Sequence, residues 1–149
     1  YDRVREGAAL GENLVVLGGG LVGCETGLFL ATEAGKKVTI LEMLPEVATD
    51  EMHLTRDALL DRLAEHTTVI TNARCTAITD CGVTYVDADG AEHTAACDNV
   101  ILSAGMRPRQ DLAESFRGIA PFFTVIGDAT RATNVRNATR TGYDAALRL

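Results

Sequence analysis

The chain has 149 residues, the length of one ordinary domain, and at that size folding buries enough surface for a core without disulfide or metal staples. Apolar residues make up 46% and charged residues 23%, which excludes a disordered chain. The net charge of −7 argues against nucleic acid as a partner, since phosphate backbones require a basic face, and no apolar run approaches the length of a membrane span.

Residues 13–17 (NLVVL) predict a short buried strand. The period then changes: Leu21, Cys24, Leu28 and Ala31 recur at helical spacing, on a helix that should end near Gly35. Residues 37–42 (KVTILE) predict a second strand, which completes a βαβ unit. Pro45 breaks the chain, and a second helix follows over 50–65, with Thr49 or Asp50 as its cap and Met52, Leu59, Leu60 and Leu63 on its buried face. Residues 67–70 predict another short strand.

From 73 to 103 the pattern is all β. CTAITDC and VTYVDAD read as strands, and Asp89-Gly90 predicts a two-residue type I′ hairpin turn, in which both central residues take positive φ. AEHTAAC returns, and NVILSAG (99–105) predicts a buried strand ending in a glycine. FFTVIG (122–127) predicts a strand, followed by Asp128 and a polar loop. A helix is expected from about 134, with Val135, Ala138, Gly142, Ala145 and Leu149 as its apolar stripe and Arg131, Arg136 and Arg140 as solvated charges. The chain starts at Tyr1 rather than Met and ends inside a helical pattern, so we expect a piece of a longer protein.

The four cysteines, Cys24, Cys75, Cys81 and Cys97, include no C-x-x-C pair, and each reads as a small buried hydrophobe in a reducing, cytoplasmic setting. His53, His66 and His93 are dispersed and show no metal-ligand spacing.

Gly18, Gly20 and Gly23 form G-x-G-x-x-G between the first strand and the first helix. The first glycine allows the tight turn, the second lets backbone approach a pyrophosphate, and the third lets helix and strand pack closely. Phosphates would then sit on the helix N-terminus. Glu42 ends the next strand about 20 positions on, where a carboxylate accepts hydrogen bonds from both ribose hydroxyls. It would repel a 2′-phosphate, and no Lys or Arg follows in MLPEVATDE, so NAD(H) is expected over NADP(H). Glu25, in the first helical turn, suits either a functional role or the helix dipole. The fold expected is α/β: a Rossmann-like, three-layer NAD-binding domain with a parallel sheet and a small antiparallel insert.

The ordered series GGGLVGCE, VTILE, ILSAGMRP and VIGDA resembles the pyridine-nucleotide-binding part of the two-dinucleotide-binding flavoprotein reductases. ALGENLVVLGGGLVGCETGLFLA and LEMLPEVATDE are most similar to the C-terminal region of the old yellow enzyme-like NADH:flavin oxidoreductases, which include 2,4-dienoyl-CoA reductase, enoate reductase and trimethylamine dehydrogenase. The resemblance covers nearly all of the chain. It implies that Gly18, Gly20 and Gly23 hold the pyrophosphate, with Gly19, Leu21 and Val22 in the same cofactor turn. It implies that Glu42 holds the ribose and that Glu25 faces the nicotinamide end. Ala104 and Gly105 match a turn that closes over the dinucleotide; SAGMRP departs slightly from the usual text. Gly127 and Asp128 match the pair that reaches FAD in a flavin domain.

The resemblance further implies a division into an NAD(P)-binding domain, 1–118, and a strand–helix piece of an FAD domain, 119–149. The first flavin glycine motif, the iron–sulfur cysteines and the FMN barrel have no counterpart here. The implied function is an NAD(H)-binding part of an oxidoreductase that passes hydride from NADH to flavin. FMN and an iron–sulfur cluster are expected in the rest of the parent. The implied partners are the dinucleotide and the remaining flavoprotein chain, with a homodimer through the C-terminal piece, and neither nucleic acid nor membrane. The rivals are a non-catalytic NAD-binding or interaction module and a methyltransferase; the hairpin insert and the late Gly-Asp unit speak against the latter.

Overall fold

The computed structural model describes Val4 and residues 6–148. Tyr1, and the Leu149 expected in the last apolar stripe, lie outside the described residues. The chain folds as two compact units that divide after Gly105.

The first unit carries β1 (Asn13–Leu17), α1 (Leu21–Thr32), β2 (Lys37–Leu41), α2 (His53–His66), β3 (Thr68–Ile70), β4 (Arg74–Thr79), β5 (Gly82–Val86), β6 (Glu92–Ala95) and β7 (Asn99–Leu102). β3, β2, β1 and β7 lie side by side in that order, all parallel, while β4, β5 and β6 form a separate antiparallel sheet. β1 is central and nearly all apolar because both of its faces are covered. Side chains alternate along a strand, so Leu14 and Val16 meet the helices, together with Cys24, Leu28, Leu30, Ile40 and Leu63. Val15 and Leu17 face the other way, onto a second cluster with Leu41, Ala73 and Val83. The result is the expected three-layer α/β fold, with helices on one side of the parallel sheet and the antiparallel sheet on the other. Each fully buried valine or leucine contributes about 1.5–3 kcal/mol. No helix among the described residues is long and apolar enough to cross a membrane.

The β1–α1–β2 elements form where the sequence places them. Several details elsewhere differ. The second helix starts at His53 with Met52 as its cap residue and no side-chain cap, so neither Thr49 nor Asp50 serves; Met52 is exposed, and only Leu63 is fully buried there, with Leu59 and Leu60 half-buried. The turn at Asp89-Gly90 is not type I′, because Gly90 alone of the two has positive φ (84°). Asp87 N–H donates to Ala91 O at 3.0 Å and Gly90 N–H to Asp87 O at 3.2 Å, which makes a three-residue loop with glycine at its left-handed position. The Asp87 carboxylate stabilises this alternative by accepting from the N–H groups of Asp89 and Ala91.

The second unit carries α3 (Gln110–Glu114), a single 3-10 turn at Gly127–Ala129 and α4 (Val135–Ala146). Asn134 caps α4 by accepting from the Asn137 N–H at 3.0 Å. Ala138, Gly142 and Ala145 are half-buried as expected, but Val135 is exposed. The strand expected at 122–127 does not form. A strand needs a neighbour to complete its ladder, and this unit has no strand among its described residues.

Candidate functional site

The parallel strands of the first unit deliver their C-terminal ends to one edge, which is where open α/β sheets bind ligands. The ladder continues one step past each strand: Gly18 N–H donates to Leu41 O at 2.9 Å and Ser103 N–H to Leu17 O at 2.8 Å. These bonds bring the turn after β1, the end of β2 and the turn after β7 together.

The three motif glycines have different reasons to be glycine. Gly18 sits at φ 107°, and a Cβ there would collide with the carbonyl of Ser103. A Cβ on Gly23 would collide with the carbonyl of Gly18 and approach Ser103 Oγ at 3.2 Å. Both are therefore demanded by the protein's own packing. Gly20 is different. It is exposed, has an ordinary extended backbone (φ −65°, ψ 173°), and a Cβ on it would meet nothing within 4 Å. It stands as the cap residue of α1, where no side chain supplies a hydrogen bond.

Gly19, between them, is a buried hub. Its N–H donates to Glu42 Oε2 at 2.6 Å, and its carbonyl accepts from the Ala48 N–H at 2.7 Å and from Cys24 Sγ at 3.3 Å. Burial, with the Glu42 carboxylate nearby, pushes the Cys24 thiol up to about 11, so it acts as a neutral donor. Glu42 is only 9% exposed. Its second oxygen, Oε1, accepts from the Leu44 N–H at 2.9 Å. Each carboxylate oxygen still has a lone pair to offer a ribose hydroxyl.

The remaining residues expected at the site are distributed as follows. Leu21 is half-buried, while Val22 and Glu25 are exposed on α1. Ala104 and Gly105 are exposed in the turn that follows Ser103, with Gly105 at φ 83°. Gly127 and Asp128 belong to the second unit, in its 3-10 turn; Gly127 N–H donates to Thr141 Oγ1 at 2.9 Å, and Asp128 is exposed. An open cleft of about 410 Å³ lies at the opposite, N-terminal ends of the strands, lined by Asn13, Lys37, Glu65 and His66 among others, away from the glycine turn.

Sequence reasoning did not find four participants. Ser103 presses its carbonyl on Gly18. Val47 and Ala48 close over Gly19, with Val47 Cγ1 2.5 Å from where a Gly19 Cβ would stand. Arg56 reaches back from α2 to the Val47 carbonyl at 3.0 Å. The Val-Ala pair between Glu46 and Thr49 was the one available signal.

Residues 2–122 match the family model described as pyridine nucleotide-disulphide oxidoreductase. Bilirubin reductase of Mediterraneibacter gnavus is 34% identical over 135 residues, 89% of this chain and 21% of that protein. NADH oxidase of Thermoanaerobacter brockii is 34% identical over 143 residues, 93% of this chain and 21% of that protein. Among solved structures, a 2-naphthoyl-CoA reductase superposes with a TM-score of 0.85 at 28% identity, covering 99% of this chain and 23% of that one. The chain belongs to the pyridine nucleotide-disulphide oxidoreductase family, and its relatives place it with the old yellow enzyme-like two-dinucleotide flavoproteins, as the resemblance implied. It spans about a fifth of the length of the curated relatives it matches.

Proposed function

We propose that this chain is the NAD(H)-binding part of a flavin-dependent oxidoreductase. The observation that carries the reading is Gly20. Nothing in the protein's own packing or backbone conformation requires a glycine there, so the missing side chain serves something outside the chain. A pyrophosphate laid against the N-terminus of α1 is such a group. Glu42, held in place by the Gly19 and Leu44 N–H groups, is poised for the adenosine ribose.

When bound, NADH supplies a hydride from its nicotinamide ring. The chain's residues do the rest. The Gly18–Gly23 turn gives backbone room and N–H groups to the pyrophosphate. Glu42 fixes the ribose and disfavours a 2′-phosphate. Leu21, Val22, Ala104 and Gly105 flank the dinucleotide, and Glu25 addresses its nicotinamide half. Gly127 and Asp128 contribute to an FAD site completed by residues of a longer parent, with 119–149 as a piece of that flavin domain. A parent that carries FMN and an iron–sulfur cluster, works in the cytoplasm and pairs through its C-terminal piece belongs to the same proposal. The bilirubin reductase relative supports reduction of an organic acceptor as the parent's activity, and the NADH oxidase relative supports NADH as its electron donor.

Calorimetric titration with NADH and, separately, NADPH tests the core of this reading. Saturable NADH binding, at least tenfold tighter than NADPH and weakened at least tenfold by Glu42→Ala, is expected. Equal binding of the two dinucleotides would remove the role given to Glu42. Binding of S-adenosylmethionine instead would favour the methyltransferase reading.

A further inference from the structure

The segment between β2 and α2 has no regular secondary structure, yet Val47 and Ala48 are 5% and 1% exposed. Ala48 takes φ 52°, a left-handed conformation that an alanine adopts only under constraint. Three bonds supply that constraint. The Ala48 N–H donates to Gly19 O at 2.7 Å. Arg56 Nε donates to the Val47 carbonyl at 3.0 Å, and Arg56 Nη2 pairs with Glu46 at 2.7 Å. The Arg56 side chain is 18% exposed, against 61% for Glu46. A guanidinium can hold a carbonyl and a carboxylate together because its donors form a rigid planar fork.

We propose that Arg56 is a positioning residue for dinucleotide binding: it latches the 46–48 segment onto Gly19 and so presets the turn and the Glu42 carboxylate before the ligand arrives. The path is contiguous. Arg56 fixes the Val47 carbonyl, Val47 and Ala48 close on Gly19, and the Gly19 N–H orients Glu42 Oε2. A preset site binds more tightly because less ordering entropy is lost on binding. The proposal deepens the NAD(H) reading and rests on it.

The test compares the wild-type chain with Arg56→Ala and Arg56→Lys by titration with NADH and ADP-ribose, and by amide hydrogen exchange without ligand. Arg56→Ala should weaken both ligands by a similar factor, about tenfold, because the latch serves the adenosine half they share. It should also speed exchange at the Ala48 and Gly19 amides while those of β1 and β2 stay protected. Arg56→Lys keeps the charge but not the fork, and should restore only part of the affinity. Unchanged affinity in a folded Arg56→Ala chain overturns the proposal, and so does faster exchange without loss of affinity, which would make the latch purely structural. Should Arg56→Ala fail to fold, Glu46→Gln serves in its place, with a smaller loss of affinity expected and an unchanged affinity counting against the latch. A wild-type chain that binds neither ligand would instead overturn the NAD(H) reading beneath the proposal.

Discussion

Gly20 and Gly23 lie three positions apart in one motif, yet alanine should act on them in opposite ways. Gly23→Ala drives a Cβ into the Gly18 carbonyl, which is backbone and cannot swing aside, so it should cost about 3 kcal/mol in denaturant unfolding. Gly20→Ala meets open space and should stay within about 1 kcal/mol of wild type, the difference between the two residues at a helix cap. The same Gly20→Ala chain should lose NADH affinity at least tenfold if, as proposed, the pyrophosphate lies against Gly20. Retained affinity would count against the site. A second residue-scale expectation concerns acid. Asp98 accepts from the Asn13 and Glu12 N–H groups and from Asn13 Nδ2, and the Asn13 backbone bond leads in holding its carboxyl below the usual range. A depressed carboxyl contributes stability above its unfolded value, about 3.9, and loses it as pH falls through the folded value. Asp98→Asn should lower the melting temperature at neutral pH and flatten its decline below pH 4. An unchanged acid limb would show that this carboxylate does not anchor β1.

β1 shows how much of the structure was legible at the scale of elements. Its apolar run, the glycine motif and the helical stripe that follows are local signals, so strand, turn and helix could be placed from spacing alone. Glu42 was found the same way, because the distance from the motif to the next strand end is fixed by the length of one helix. The segment from Met43 to Met52 was not legible, since its order comes from bonds to Gly19 and to the Arg56 side chain, and such contacts follow no period. The segment at 122–127 misled for a related reason: strand propensity was present, but no partner strand was there to complete a ladder. The Asp89-Gly90 turn was misread by one residue because the Asp87 side chain competes for the loop N–H groups. A paired test follows from the two faces of β1. Val16→Ala opens the helix side and Val15→Ala the side facing Ala73 and Val83, and each should cost about 2–4 kcal/mol in urea unfolding, with additive effects if the layers respond independently.

At the scale of the molecule, ligand binding and folding are linked. A dinucleotide that binds only the folded chain at a hundred times its Kd adds about 2.7 kcal/mol. For a chain of this length that corresponds to a rise in melting temperature of roughly 5–10 °C. NADH should produce this shift in a thermal scan, and Gly20→Ala should abolish it while melting near the wild-type temperature without ligand. A shift that survives in the variant would place the nucleotide elsewhere.

The bonds from Gly19 and Leu44 to Glu42 also bear on how such a protein could change its coenzyme. Accepting a 2′-phosphate requires removing that carboxylate, yet the same side chain is the acceptor for two backbone N–H groups, one of them in the phosphate turn itself. Simple charge reversal at this position would leave both donors without an acceptor and loosen the turn while trying to retune it. A lineage or an engineer seeking the phosphorylated coenzyme would first have to supply a neutral acceptor such as serine or asparagine, and only then add a cation. On the proposed reading, architecture as well as charge would guard the coenzyme choice of this chain.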